Sequence, residues 1–194
     1  MRLWDAQKRE KKRKKEIINA TEICRRSMRA LEKIIEQLVH IVEGILAILL
    51  LLMVLNVSFD VIMRYFFHNS SVAMQELEWH LFAIILLLGI SASLKEEAHV
   101  RVDFLYERFS ERVKAIINIF GTLVFLLPLA LLITMGSYTF VHDSWMINEI
   151  SENPGGLAYR WLIKGMIPLS FTFLMLTALG YILRNIRKFQ EDGK

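Results

Sequence analysis

Four stretches of the chain are continuously apolar and end in abrupt polar breaks. They run over residues 41–63, 77–94, 115–141 and 161–183. Inside each, the apolar residues come as blocks, without the stripe of a helix half-buried in a soluble core or the alternation of a strand. About 20 apolar residues wound as a helix cross about 30 Å of hydrocarbon. The pattern therefore predicts an all-α integral membrane protein with four transmembrane helices. The third block is longer than a crossing needs, so it is expected to tilt or to reach into the headgroups.

Ahead of the first block the pattern changes. Beyond Ile17, the residues Cys24, Met28, Leu31, Ile35 and Leu38 recur at alternating steps of four and three, while Arg25, Arg26, Arg29 and Lys33 fall mostly off that line. This spacing predicts an amphipathic interfacial helix before span 1. A shorter one is expected between spans 2 and 3, where Val102, Leu105, Phe109 and Val113 share a face and Asp103, Glu107, Arg108, Glu111 and Arg112 lie mostly elsewhere. The chain then divides into a basic arm with its interfacial helix (1–38), a four-helix membrane domain (39–187) and a tail (188–194).

Composition adds the class and charge adds the orientation. Of 194 residues 54% are hydrophobic, and 24 basic against 20 acidic residues leave a net charge of +4. The sum matters less than the placement. Basic residues crowd the first 33 positions, the connection between blocks two and three, and the segment after Arg184. Cationic segments stay on the cytoplasmic side, so both termini and the middle connection are expected there, with two short connections, 65–75 and 142–159, facing outward. The run KREKKRKK at 8–15 leads into a membrane helix, which favours anionic membrane lipids, at about 1 kcal/mol for each Lys or Arg, and makes nucleic acid an unexpected partner. The single cysteine, Cys24, excludes an internal disulfide or thiolate cluster. The first block is too long and too far from Met1 for a signal core and is expected to stay as an anchor.

Catalytic chemistry is missing. The sequence has no glycine-rich phosphate loop, no His-Glu-x-x-His, no paired cysteines and no nucleophile elbow, so no enzyme activity is expected. Paired histidines in a helical bundle can hold haem, and His40 with His99, or His80 with His142, share a side. His99 stands among Glu96, Glu97 and Arg101 outside any block, and His40 sits at the very start of one. No cofactor and no metal are therefore expected. Charge concentrates at block edges instead. Asp60 and Arg64 are four apart, the favourable order for an intrahelical pair. Glu76, Glu78 and Trp79 open block two, with the two acids suited to a helix N-terminus. Gly89, Ala92 and Ser93 invite close approach of another helix, Pro128 predicts a kink, and Asn153-Pro154-Gly155-Gly156 predicts a turn. With no charge at mid-membrane, the chain reads as an accessory subunit and not as a carrier. A free-standing anchor or sensor is the second reading, and a haem-binding membrane subunit the third.

Several of these pieces recur together in one family. Arg64-Tyr65 closes the first block and Gln75-Glu76-Leu77-Glu78-Trp79-His80 opens the second. Gly89 and His99-Val100-Arg101-Val102-Asp103 follow, then Glu149-x-Ser151-x-Asn153-Pro154-Gly155-Gly156-Leu157-x-Tyr159-Arg160-Trp161 and Lys164. Over about residues 40–185 the chain resembles the DctQ-type small membrane subunit of tripartite ATP-independent periplasmic (TRAP) transporters. It departs from the family at Ala73 and Met74, where an aromatic is usual, and in the length of its arm. The resemblance implies a non-catalytic scaffold in the bacterial inner membrane. Its partners would be a large membrane subunit, which moves an organic anion with sodium by an elevator motion, and a periplasmic substrate-binding protein. It further implies assembly or docking roles on the outer side for Asp60, Arg64, Tyr65, Glu76, Glu78, Trp79, Glu149 and Arg160, and an inner turn fixed by His99, Arg101 and Asp103.

Overall fold

The structure, a computed structural model, describes residues 2–95 and 109–191, and the side chains of 26–95 and 109–189 among them. Helix α1 is Arg2–Phe66 and α2 is Val72–Lys95. The third span is built from α3 (Glu111–Gly121), a π-turn (Thr122–Leu126) and α4 (Leu127–Met146), and α5 is Trp161–Glu191. Four runs are long and apolar enough to cross a membrane: Arg26–Phe66, Val72–Lys95, Glu111–Met146 and Trp161–Phe189. This is a multi-pass helical membrane protein.

Several boundaries differ from the sequence expectation. No break separates the arm from span 1, because α1 is one helix of 65 residues. The segment ALEKIIEQLVHIVEGIL at 30–46 has no proline and one glycine, so nothing in it stops a helix. The arm therefore continues the span instead of turning away from it. Of the predicted stripe in the arm, Ile35 is buried while Leu31 and Leu38 stay exposed. At the other end of the chain, α5 continues past position 188 to Glu191. The first connection is also tighter than expected. Helix α2 begins at Val72, with the Ser71 carbonyl accepting the Gln75 N–H at 3.3 Å. Glu76 and Glu78 thus lie beyond the first turn, and the helix dipole is not what holds them. The predicted second interfacial helix, with His99, Arg101 and Asp103, falls largely on residues 96–108, outside the described residues.

Pro128 has its effect one turn earlier than expected. Proline offers no N–H to the carbonyl four residues back, and its ring crowds that turn. The chain widens over Thr122–Leu126, where the Leu127 N–H reaches back five residues to the Thr122 carbonyl.

Helix α5 is the centre of the bundle. A third of its membrane window is buried (33%), against 6% for that of α1. It packs on α1 and α2 on one side and on α3 and α4 on the other. Leu94, Ala130, Leu174, Ala178 and Tyr181 form the core. Small residues let the backbones close, most tightly at Gly180, where an added Cβ would stand 3.0 Å from Ile35 Cγ2. Gly89, expected to serve this purpose, faces open space in this chain. A groove of about 500 Å³ separates α2 from the third span, with Ile90 and Leu94 on one wall and Ile117 and Phe125 on the other.

Because α1 and α5 run antiparallel, residues 26–43, the end of α2 and the last turns of α5 share one end of the bundle. The connections 67–71 and 147–160 share the other. These are called below the termini end and the loop end.

Candidate docking and assembly site at the loop end

Charged groups in a span are costly unless paired or hydrogen-bonded. At the loop end the chain solves this by folding its long connection over a carboxylate. Glu76 is only 4% exposed. Its Oε1 accepts from the Ser151 hydroxyl and from Asn153 Nδ2 at 3.3 Å, and its Oε2 accepts from the Leu157 N–H at 2.6 Å. The connection reaches these positions through a turn at Asn153-Pro154-Gly155-Gly156. The Gly156 N–H bonds the Asn153 carbonyl at 3.0 Å and Gly155 has φ +81°, as proline at the second and glycine at the third turn position demand. Gly156 then lies flat against the carboxylate. A Cβ there would sit 2.8 Å from Glu76 Oε2 and inside contact distance of Ser151 Oγ. The Ser151 N–H closes the ring on the Leu157 carbonyl at 3.1 Å.

A second layer fastens the connection to the spans. Lys164 pairs with Glu149 and sits 4.2 Å from the centre of the Phe140 ring. The Arg160 N–H bonds the Glu149 carbonyl at 3.0 Å, and its guanidinium lies 5.7 Å over the Trp79 ring. Trp145 stacks on Trp161 with centroids 5.9 Å apart. Tyr159, between these anchors, is held at φ +61°, a conformation a bulky residue keeps only when its surroundings impose it. The hydrogen bond from Lys164 keeps the Glu149 carboxyl below the usual carboxylate range. A depressed carboxyl pKa adds stability above the ordinary value and loses it as pH falls through the folded value. Wild type should therefore exceed Glu149→Gln in detergent Tm by a constant margin above about pH 6, and the margin should begin to shrink near the ordinary carboxylate range, about pH 4, and be lost as pH falls on through the lowered folded value.

A profile of the DctQ component of tripartite ATP-independent periplasmic transporters matches residues 53–188, which include this whole cluster. The chain belongs to the DctQ family. It is a transporter component and not an enzyme. The sialic acid TRAP transporter permease protein SiaT of Haemophilus influenzae (strain 86-028NP) is 26% identical over 126 residues, covering 63% of this chain and 20% of the relative. The chain thus spans about a fifth of the length of that permease.

Of the outer residues singled out from the sequence, this DctQ subunit brings Glu76, Trp79, Glu149 and Arg160 into one cluster. Asp60, 4% exposed, pairs with Arg64 close by, one turn beyond Asn56, whose Nδ2 bonds the Met74 carbonyl at 3.1 Å. Tyr65 is exposed and Glu78 half-buried, and neither joins the cluster. His80 Nδ1 faces the Glu76 carbonyl, while His142 stacks on Tyr138.

The DctQ chain carries a second polar set at the termini end, which the sequence did not point to as a site. Lys95 Nζ lies 3.0 Å from both Glu43 oxygens and His40 bonds the same carboxylate. Arg184 donates to the Lys95 carbonyl at 3.2 Å and Arg187 to Glu32 Oε1 at 2.8 Å. Asn118 Nδ2 bonds Asn185 Oδ1 at 2.9 Å. The legible signal was opposite charge at matching depth, Glu43 near the start of block one and Lys95 at the end of block two. Between the two ends, Ser93, Thr134 and Thr177 bond back to Gly89, Ala130 and Phe173 in their own helices, while the buried hydroxyls of Ser91 and Ser170 have no partner among the described residues.

Proposed function

We propose that this DctQ chain braces the large membrane subunit of a sodium-coupled TRAP transporter and offers its loop end to the periplasmic substrate-binding protein during uptake of an organic anion. Both termini are cytoplasmic in this reading and the membrane is the bacterial inner membrane. The observation that carries it is the clamped connection. Glu76 and the Glu149–Lys164 pair fix residues 147–160 from beneath, while Ile147, Ile150 and Tyr159 stand exposed at 72%, 65% and 59% on top. A rigid apolar patch rimmed by polar groups is the form of a protein contact. Charge at the two ends, with no charged side chain in the spans between them, supports a brace and not a conduit. Sialic acid, for which the relative is named, is a carboxylic acid and supports the substrate class.

The test separates docking from assembly. Ile147→Asp with Ile150→Asp should lower binding-protein-dependent uptake by about tenfold, the loss from two apolar contacts, while the large subunit is still recovered with the tagged chain. Unchanged uptake would contradict the docking role.

A further inference from the structure

One apolar face of α1 is left uncovered from Leu31 to Ile62. From Leu31, Ile34, Leu38 and Ile41 on to Phe59 and Ile62, alternating steps of three and four meet only leucine, isoleucine or phenylalanine, each 41–61% exposed. Helix α5 covers the neighbouring face of the same segment through Glu32, Ile35 and Val39, and leaves this one bare.

Lipid does not account for the bare face. Leu31 to Ile62 is about 47 Å at 1.5 Å per residue, whereas a bilayer measures about 30 Å across its hydrocarbon and 40–45 Å with headgroups. The polar set of His40, Glu43, Lys95 and Arg184 marks the membrane boundary at the termini end, and Leu31, Ile34 and Leu38 lie on its far side. A helix unbroken from arm to span does not also lie flat on the surface. Beyond that boundary the flanking exposed positions Arg29, Lys33 and Gln37 are polar, and Leu31, Ile34 and Leu38 keep among them the 3.5-residue repeat that a second helix wound alongside requires.

We infer that a helix of the large membrane subunit covers this face and continues past the membrane boundary beside the arm on the termini side. The inference rests on the reading of the chain as a TRAP small subunit. The permease of which the matching segment is one fifth shows how much larger the rest of such an assembly is. A second copy of the chain fits less well, because two parallel arms would set their KREKKRKK runs side by side.

The test uses the full chain co-expressed with the large subunit in intact membranes. A photoreactive benzoylphenylalanine at Leu31 or Leu38 should give an adduct to the large subunit, and the same group at Arg29 or Lys33, off the stripe, should give little. Adducts to a second copy alone, to lipid alone, or equally from all four positions overturn the inference. Leu31→Glu with Leu38→Glu should lower the large subunit recovered per tagged chain by about tenfold, with Lys33→Glu unchanged; unchanged recovery in the double variant also overturns it. If the unaltered chain recovers no large subunit, the subunit reading falls and the inference with it. If it does recover the subunit while the stripe gives no adduct to it, the inference alone falls.

Discussion

Glu76→Ala is expected to free the connection 147–160 while leaving the four spans inserted. The substitution removes the acceptor for the Ser151 hydroxyl, the Asn153 amide and the Leu157 N–H together. Buried donors left without an acceptor are costly, so the loop should open to solvent instead of collapsing on the gap. Trypsin added from the loop side should then cut after Arg160 about tenfold faster or more, and uptake should fall with it. Glu76→Gln should lie between, because the amide keeps one acceptor oxygen and turns a donor toward the other partners. Gly156→Ala approaches the same clamp from the opposite side. Its new methyl group meets Glu76 Oε2 and Ser151 Oγ, an overpacking that costs about 1–3 kcal/mol. Protection equal to wild type in both Glu76→Ala and Gly156→Ala would show that the connection is held by something other than the carboxylate.

Arg64→Ala is the second large effect. Asp60 is buried and Arg64 half-exposed, so losing the guanidinium strands a carboxylate at the edge of the span. Removing one partner of a buried pair is far worse than replacing both. Arg64→Ala should reduce complex recovery and uptake together, and Asp60→Leu with Arg64→Leu should restore recovery. The ratio of uptake rates between two competing organic anions should not move in either variant. A shifted ratio would place this pair in the path of the substrate and defeat the bracing role.

How much of this the sequence disclosed depends on the range of the interaction. The four spans were legible because hydrophobic blocks against bilayer thickness are a local property of the chain. The Asn153–Gly156 turn was legible for the same reason. The partners of Glu76 were not, since Ser151 and Leu157 stand 75 and 81 residues away. An acidic residue near a helix start reads locally as a dipole contact, and only the onset of α2 at Val72 takes that explanation away. Small residues misled in the same manner. Gly89 and Gly180 look alike in sequence, and only the arrangement of helices decides which one receives a neighbour. Pro128 announced a disturbance but not its form, because a kink and a widened turn both relieve the same clash.

The place of α5 at the centre of the bundle has a consequence in time. Synthesis proceeds from the N-terminus at about 5–20 residues per second. The α1–α2 pair can close as soon as both helices are in the bilayer, but α3 and α4 lean on α5 and on little else. Until Trp161–Glu191 has been made and inserted, the third span has no protein surface to settle on. The nascent chain therefore waits as a hairpin and a loose helix. Its final packing is expected late, once the last helix has entered between them.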